Sequence, residues 1–129
     1  MSKGTVFYLD DESELLEFVK FVLERYGYKV IVGESWKDDY YSELENVDML
    51  ILDIMFPQGE LNGYEICKKI KGSERLKAIP VYMFSAKAFE EDKEDALKAG
   101  AEGFIEKPTP IDDLVTLVNN VVAERKNNV

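Results

Sequence analysis

Short apolar runs and helical stretches alternate five times along this chain, and that alternation limits the fold more than any other feature. The runs are Thr5-Val6-Phe7-Tyr8-Leu9, Lys29-Val30-Ile31-Val32, Asp48-Met49-Leu50-Ile51-Leu52, Val81-Tyr82-Met83-Phe84 and Gly103-Phe104-Ile105-Glu106-Lys107. They are rich in β-branched, aromatic and aliphatic residues and have strand length. A strand covered on both faces reads as a nearly continuous apolar run, and parallel neighbours need a crossover segment, usually a helix. The expected architecture is therefore α/β, a doubly wound five-stranded parallel sheet with five helices.

The intervening segments carry helical spacing. Leu15, Val19, Val22, Leu23 and Tyr26 mark a first helix, with Asp11 and Glu14 placed as a capping box and Gly27 as its stop,. Ser35 is a candidate cap for a second helix bearing Trp36, Tyr40 and Leu44. Asn62 with Glu65 opens a third helix, which runs through Ile66 and Ile70 to Gly72-Ser73,. The charged stretch from Phe89 to Ala99, closed by Gly100, shows little apolar face and should pack shallowly. Thr109-Pro110 starts a last helix with Ile111, Leu114, Val115, Val118 and Val122 on one side, and the polar tail from Arg125 to Val129 is expected to fray,.

At 129 residues the chain should form one domain over residues 1–129, with room for one core and no second folded unit,. An effector is then expected on another chain. No apolar run approaches the roughly 20 residues of a bilayer span, and the N-terminus leads straight into a strand, so neither membrane insertion nor a signal peptide is expected and the compartment is read as cytoplasmic. The net charge of −10 argues against direct nucleic-acid binding,. With no histidine, the chain cannot build a Ser-His-Asp triad, a phosphohistidine or a His-based zinc site from its own residues. The single cysteine, Cys67, reads as a small packing residue in the third helix.

Four of the five runs hand over to polar residues: Asp10 and Asp11, Asp53, Ser85, and Lys107. Open α/β sheets bind ligands at the carboxyl ends of their strands, so a parallel sheet gathers three carboxylates, a hydroxyl and an ammonium at one edge. Clustered carboxylates repel, and a hard divalent cation with oxygen ligands relieves that repulsion, with Mg²⁺ the natural candidate. Asp53 can then act as a nucleophile and phosphate acceptor, with Lys107 and Ser85 directed at phosphoryl oxygens.

Leu9-Asp10-Asp11-Glu12, Asp53 with Pro57 four residues later, Ser85-Ala86 and Lys107-Pro108 together resemble the receiver domains of two-component response regulators, single-domain chemotaxis-type receivers included. The resemblance covers essentially the whole chain, and Lys98-Ala99-Gly100-Ala101-Glu102-Gly103-Phe104 matches the family's approach to its fifth strand. It implies the flavodoxin-like strand order 2-1-3-4-5. It also implies that Asp53 accepts a phosphoryl group from a phosphohistidine on a sensor histidine kinase or a histidine phosphotransfer protein. Asp11, Asp53 and the Met55 backbone carbonyl would bind Mg²⁺, with Asp10 helping through water. Ser85 and Phe104 would be the switch residues, moving a target-binding face built from the fourth helix, fifth strand and fifth helix. Met55 and Lys87 correspond to positions that modulate phosphoryl lifetime; an apolar Met55 cannot orient an attacking water, which suggests slow self-dephosphorylation.

Other readings compete. A strand-end aspartate is by default a turn or cap residue, Phe104 and Trp36 are by default packing, and Glu90 to Asp95 is by default a solvated helix face. The enzymatic rival is an aspartate-nucleophile, Mg²⁺-dependent phosphohydrolase, which wants a second acid two residues after the nucleophile, where this chain has Met55,. A phosphate-independent binding module is the non-chemical alternative; a nucleotide or flavin module lacks support because no glycine-rich loop follows the first strand. The segment from Asp53 to Gly63 is two residues longer than the family's usual spacing, so Phe56 to Glu60 holds an apparent insertion beside the site. Within the family reading, a free-standing regulator, a relay intermediate and a receiver cut from a longer protein all remain open.

Overall fold

The computed structural model describes residues 2–86 and 88–127. Five strands, β1 (Thr5–Leu9), β2 (Lys29–Gly33), β3 (Met49–Leu52), β4 (Val81–Ser85) and β5 (Gly103–Glu106), form one sheet in the order β2-β1-β3-β4-β5. Every neighbouring pair is parallel. Five helices connect or follow them: α1 (Ser13–Arg25), α2 (Tyr40–Leu44), α3 (Gly63–Lys71), α4 (Glu90–Lys98) and α5 (Ile111–Asn127). The fold is the expected doubly wound, flavodoxin-like α/β sandwich.

Two apolar clusters show which face each residue serves. Phe7, Leu9, Leu50, Leu52, Val81 and Met83 pack with Leu44 of α2, Ile66, Cys67 and Ile70 of α3, and Ala96 of α4. Val6, Tyr8, Met49, Ile51, Phe84 and Ile105 pack with Leu16, Val19 and Leu23 of α1 and with Leu114, Val115, Val118 and Val122 of α5. Successive strand residues thus alternate between the layers, as the pleat requires. Because both faces are covered, β3 is buried at all four positions,.

The helix ends follow the sequence in part. Asn62 accepts from the Glu65 N–H at 2.9 Å while Glu65 accepts from the Asn62 N–H at 3.0 Å, the expected capping box. Gly27 and Gly100 end α1 and α4 with φ of 99° each, in the left-handed region that glycine enters without a Cβ penalty. As expected, α4 buries only Asp92 and Ala96, and Cys67 is a fully buried packing residue.

Three local expectations are corrected. The start of α1 is not capped by Asp11: the helix begins one residue later than that box requires, its N-cap is Glu12 with no side-chain cap bond, and the Glu12 N–H donates to Asp10 Oδ1 at 3.0 Å. Ser35 does not start a helix. A turn first closes from the Tyr40 N–H to the Lys37 carbonyl, Trp36 Nε1 donates to Asp38 Oδ1, and α2 is a five-residue helix beginning at Tyr40. The tail does not fray at Arg125: α5 continues to Asn127, held by Arg125 Nη1 donating to the Ala78 carbonyl at 3.2 Å and by Lys126 lying 3.7 Å from Asp48. Asn128 and Val129 lie outside the described residues.

The start of α3 is pressed against the end of β3. The Gly63 N–H donates to the Ile54 carbonyl at 2.8 Å, and a Cβ on Gly63 would lie 2.3 Å from the Asp53 carbonyl oxygen and 2.8 Å from the Ile54 Cα. Backbone atoms cannot step aside as a flexible side chain can. Gly63→Ala is therefore expected to destabilise the fold by about 2–3 kcal/mol, read as a lowered urea midpoint with an unchanged denaturant slope.

Candidate functional site

The sheet delivers Asp10, Asp53 and Lys107 one step past their strands. Beyond Leu9 the Asp10 N–H bonds to the Gly33 carbonyl, beyond Leu52 the Asp53 N–H bonds to the Leu9 carbonyl, and beyond Glu106 the Lys107 N–H bonds to the Ser85 carbonyl, at 3.1, 2.9 and 3.0 Å. These ladder bonds fix the backbone of Asp10 and Asp53 where strand order reverses between β1 and β3, the position at which such sheets bind ligands, and that of Lys107 beyond β5 on the same edge,. Asp11, Glu12, Asp53, Met55, Ser85, Ala86 and Lys107 line a cavity of about 230 Å³ there.

One carboxylate oxygen from each of Asp10, Asp11 and Asp53 lies within 4.8 Å of the other two. Their surroundings differ sharply. Asp10 has no solvent exposure. Its Oδ2 accepts from Tyr8 Oη at 2.6 Å and from Lys107 Nζ at 2.7 Å, and its Oδ1 accepts from the Glu12 N–H. Asp11 is exposed. Asp53 is 5% exposed, and its Oδ1 accepts from the Ile54 N–H at 2.8 Å.

Burial, and after it the charge of Asp10, pushes the Asp53 carboxyl up from 3.8 to about 7, with Lys107 and the Ile54 N–H opposing,. The same burial, with the Asp10 hydrogen bond and charge, pushes the Tyr8 phenol far above its usual value, so it remains a neutral donor. For Lys107 burial pulls downward, but the hydrogen bond and charge of Asp10, with Asp53 and Glu12, prevail and hold the ammonium above its ordinary value. Its Nζ lies 5.1 Å from the Phe84 ring centre, and that ring packs at 5.9 Å against Tyr8.

The structure therefore brings Asp10, Asp11, Asp53, Ser85, Met55 and Lys107 to one edge. Ser85 is 2% exposed and closes β4. Phe104 is half-buried on β5 opposite Met83 and packs against the α2–α3–α4 layer, away from the cavity lining. Lys87 lies outside the described residues. Two neighbours escaped the sequence reading, Tyr8 and Glu12. Tyr8 could have been found from strand alternation, which puts residues 8 and 10 on one side. Glu12 was visible as the third acid in a row, but nothing in the sequence tied it to Lys107, which follows 95 residues later.

Three hard oxygen donors, one of them held up in its protonation by burial and repulsion, fit a divalent cation. Asp10 is the least available, since both of its oxygens are already engaged.

The family model described as response regulator receiver domain matches residues 6–119. The chain belongs to that family. Receivers are the phosphoacceptors of two-component phosphorelays rather than turnover enzymes, and they pair with histidine kinases. Response regulator SaeR of Staphylococcus aureus is 35% identical over 118 residues, covering 92% of this chain and 50% of SaeR. This receiver thus spans about half the length of the curated relatives it matches. A receiver domain protein from Clostridium thermocellum superposes with a TM-score of 0.84 at 26% identity, covering 98% of this chain and 99% of that one. The receiver domain of a Francisella response regulator gives 0.82 at 27% identity, covering 94% and 98%. Among the described residues of this receiver, no helix is long and apolar enough to cross a membrane.

The raised Asp53 carboxyl has a consequence for stability. Between pH 3.8 and about 7 the folded, metal-free receiver holds a proton that the unfolded chain has lost. Stability from this group is therefore present at low pH and is lost as pH rises through about 7. In EDTA at about pH 8, Asp53→Asn should stabilise the receiver by on the order of 2 kcal/mol, and the gain should shrink toward zero near the unfolded carboxyl pKa, as measured by urea denaturation across pH.

Proposed function

We propose that residues 1–129 form one receiver domain in which Asp53 accepts a phosphoryl group from a phosphohistidine on a sensor histidine kinase or histidine phosphotransfer protein. The observation that carries this reading is the placement of Asp53: a nearly buried carboxylate at the reversal point of the sheet, on the wall of a 230 Å³ cavity, with the Lys107 ammonium 3.8 Å from its Oδ1. Asp11 and Asp53, with the Met55 backbone carbonyl, would hold Mg²⁺, and Asp10 would support it from the buried side through water. When bound, the ion neutralises phosphoryl and carboxylate charge. The chain's own groups do the rest. The Ile54 N–H orients the Asp53 carboxylate, Lys107 stabilises charge on the transferred group as a point cation, and Ser85 donates its hydroxyl to a phosphoryl oxygen,.

The response is a two-state bias. Ser85 drawn toward the phosphoryl group opens space that the half-buried Phe104 can take, altering the face of α4, β5 and α5 that meets a downstream target. Phosphohydrolase turnover is disfavoured because Met55 offers no proton-transferring group. The compartment proposed is the cytoplasm.

Incubation with Mg²⁺ and acetyl phosphate, followed by intact-mass measurement, should show one phosphoryl adduct that EDTA prevents and Asp53→Asn abolishes. Repeated turnover of a phosphomonoester would favour the hydrolase, and the absence of any adduct under Mg²⁺ saturation would favour a phosphate-independent binding module. The Met55 side chain is 55% exposed at the cavity wall and cannot hydrogen-bond an attacking water,. Met55→Asn should accordingly lose its phosphoryl group several-fold faster than the parent in a chase followed by mass or phosphate release.

A further inference from the structure

Lys107 is shared unequally among three carboxylates. Its Nζ lies 2.7 Å from Asp10 Oδ2, 3.1 Å from Glu12 Oε2 and 3.8 Å from Asp53 Oδ1, so two of the three distances are hydrogen bonds and the one to Asp53 is not,. We infer that Glu12 is a positioning residue whose carboxylate is a releasable tether, holding the Lys107 ammonium back from Asp53 until a phosphoryl group displaces it. This rests on the proposed roles of Asp53 as acceptor and Lys107 as phosphoryl clamp.

The two bonded partners differ in what it takes to leave them. Asp10 is wholly buried, and withdrawing the ammonium would leave a desolvated carboxylate with only the Tyr8 hydroxyl and the Glu12 N–H,. The Glu12 side chain is 60% exposed, and water replaces Lys107 there at little cost,. An ammonium swinging toward an oxygen on Asp53 therefore keeps Asp10 and drops Glu12. The Glu12 side chain is not needed by α1, since it makes no capping bond although it stands at the N-cap. It also lines the cavity that the incoming group must enter. Tethering and phosphoryl binding thus compete for one cation.

The test uses beryllofluoride, a phosphoryl analogue that binds an aspartate carboxylate at equilibrium, titrated into the full chain at saturating Mg²⁺ and followed by ¹⁹F NMR or calorimetry. Glu12→Gln, which removes the charge at constant size, should bind it about threefold tighter, the size expected of a half-exposed ion pair. Glu12→Asp keeps the charge, but its shorter carboxylate is suited to capping the α1 N-terminus instead of reaching Lys107. It should also bind more tightly than the parent. An unchanged or weakened affinity in Glu12→Gln would overturn the tether, and so would Glu12→Asp matching the parent while Glu12→Gln tightens, because cavity charge alone would then suffice. If the parent binds no better than Asp53→Asn, the acceptor reading itself fails and the tether falls with it; a parent that binds, with variants that do not differ, removes only the tether.

Discussion

The arrangement of the site depends on satisfying one carboxylate that water cannot reach. Asp10 sits at the end of β1 with no exposure, and every oxygen lone pair it uses must be met from inside the protein,. Tyr8 from the same strand, the Glu12 N–H from the next turn and Lys107 from beyond β5 converge on it. This convergence brings the chain's first ten residues against a lysine near its end. It also sets the field around Asp53, whose protonation is raised by burial and by Asp10 and lowered by the same lysine. Removing one partner would leave a buried charge uncompensated, a far larger penalty than losing a surface pair.

The sheet supplies the precision. Alternation sends Tyr8 and Phe84 into the α1–α5 layer and Met83 and Leu52 into the opposite one, so the groups supporting Lys107 and those beneath Phe104 belong to different cores. The site edge lies where the two layers meet, with Asp10, Asp53 and Lys107 each held by a ladder bond beyond its strand. The short carboxylate and hydroxyl side chains on that rim need little reorganisation, as electrostatic preorganisation requires, while Lys107 reaches in on a longer, movable stem,.

Much of this was legible from residue order alone. The apolar runs located all five strands because strands covered on both faces carry no polar interruption, and the change to Asp53 or Lys107 marked where each one leaves the core. Asn62 and Glu65 announced α3 because a capping box is a local device. What escaped depended on contacts distant in sequence. Asp11 looked like a cap, but α1 takes Glu12 as its N-cap while the Glu12 N–H turns back to Asp10, and Ser35 looked like a helix start until the Trp36 ring, packed against Tyr40 and Tyr41, turned the chain differently. Tyr8 looked like any strand aromatic, since nothing nearby reveals that its hydroxyl faces a buried acid. In the tail, polarity suggested fraying, but two contacts to distant loops kept the helix wound.

The segment between Asp53 and α3 is a loop that sits beside this rim without loading it. Both ends are pinned, one by the Ile54 carbonyl receiving the Gly63 N–H and the other by Phe56 and Leu61 packing on the core, while Gly59 makes the exposed bend with φ of 93°. Residues 57–60 are therefore exposed and stand outside the lining of the cavity. Loop closure grows only slowly with length, roughly 0.6 kcal/mol per doubling, so a longer or shorter bend at Gly59 would redraw the outline above the cavity at little cost to the residues that line it.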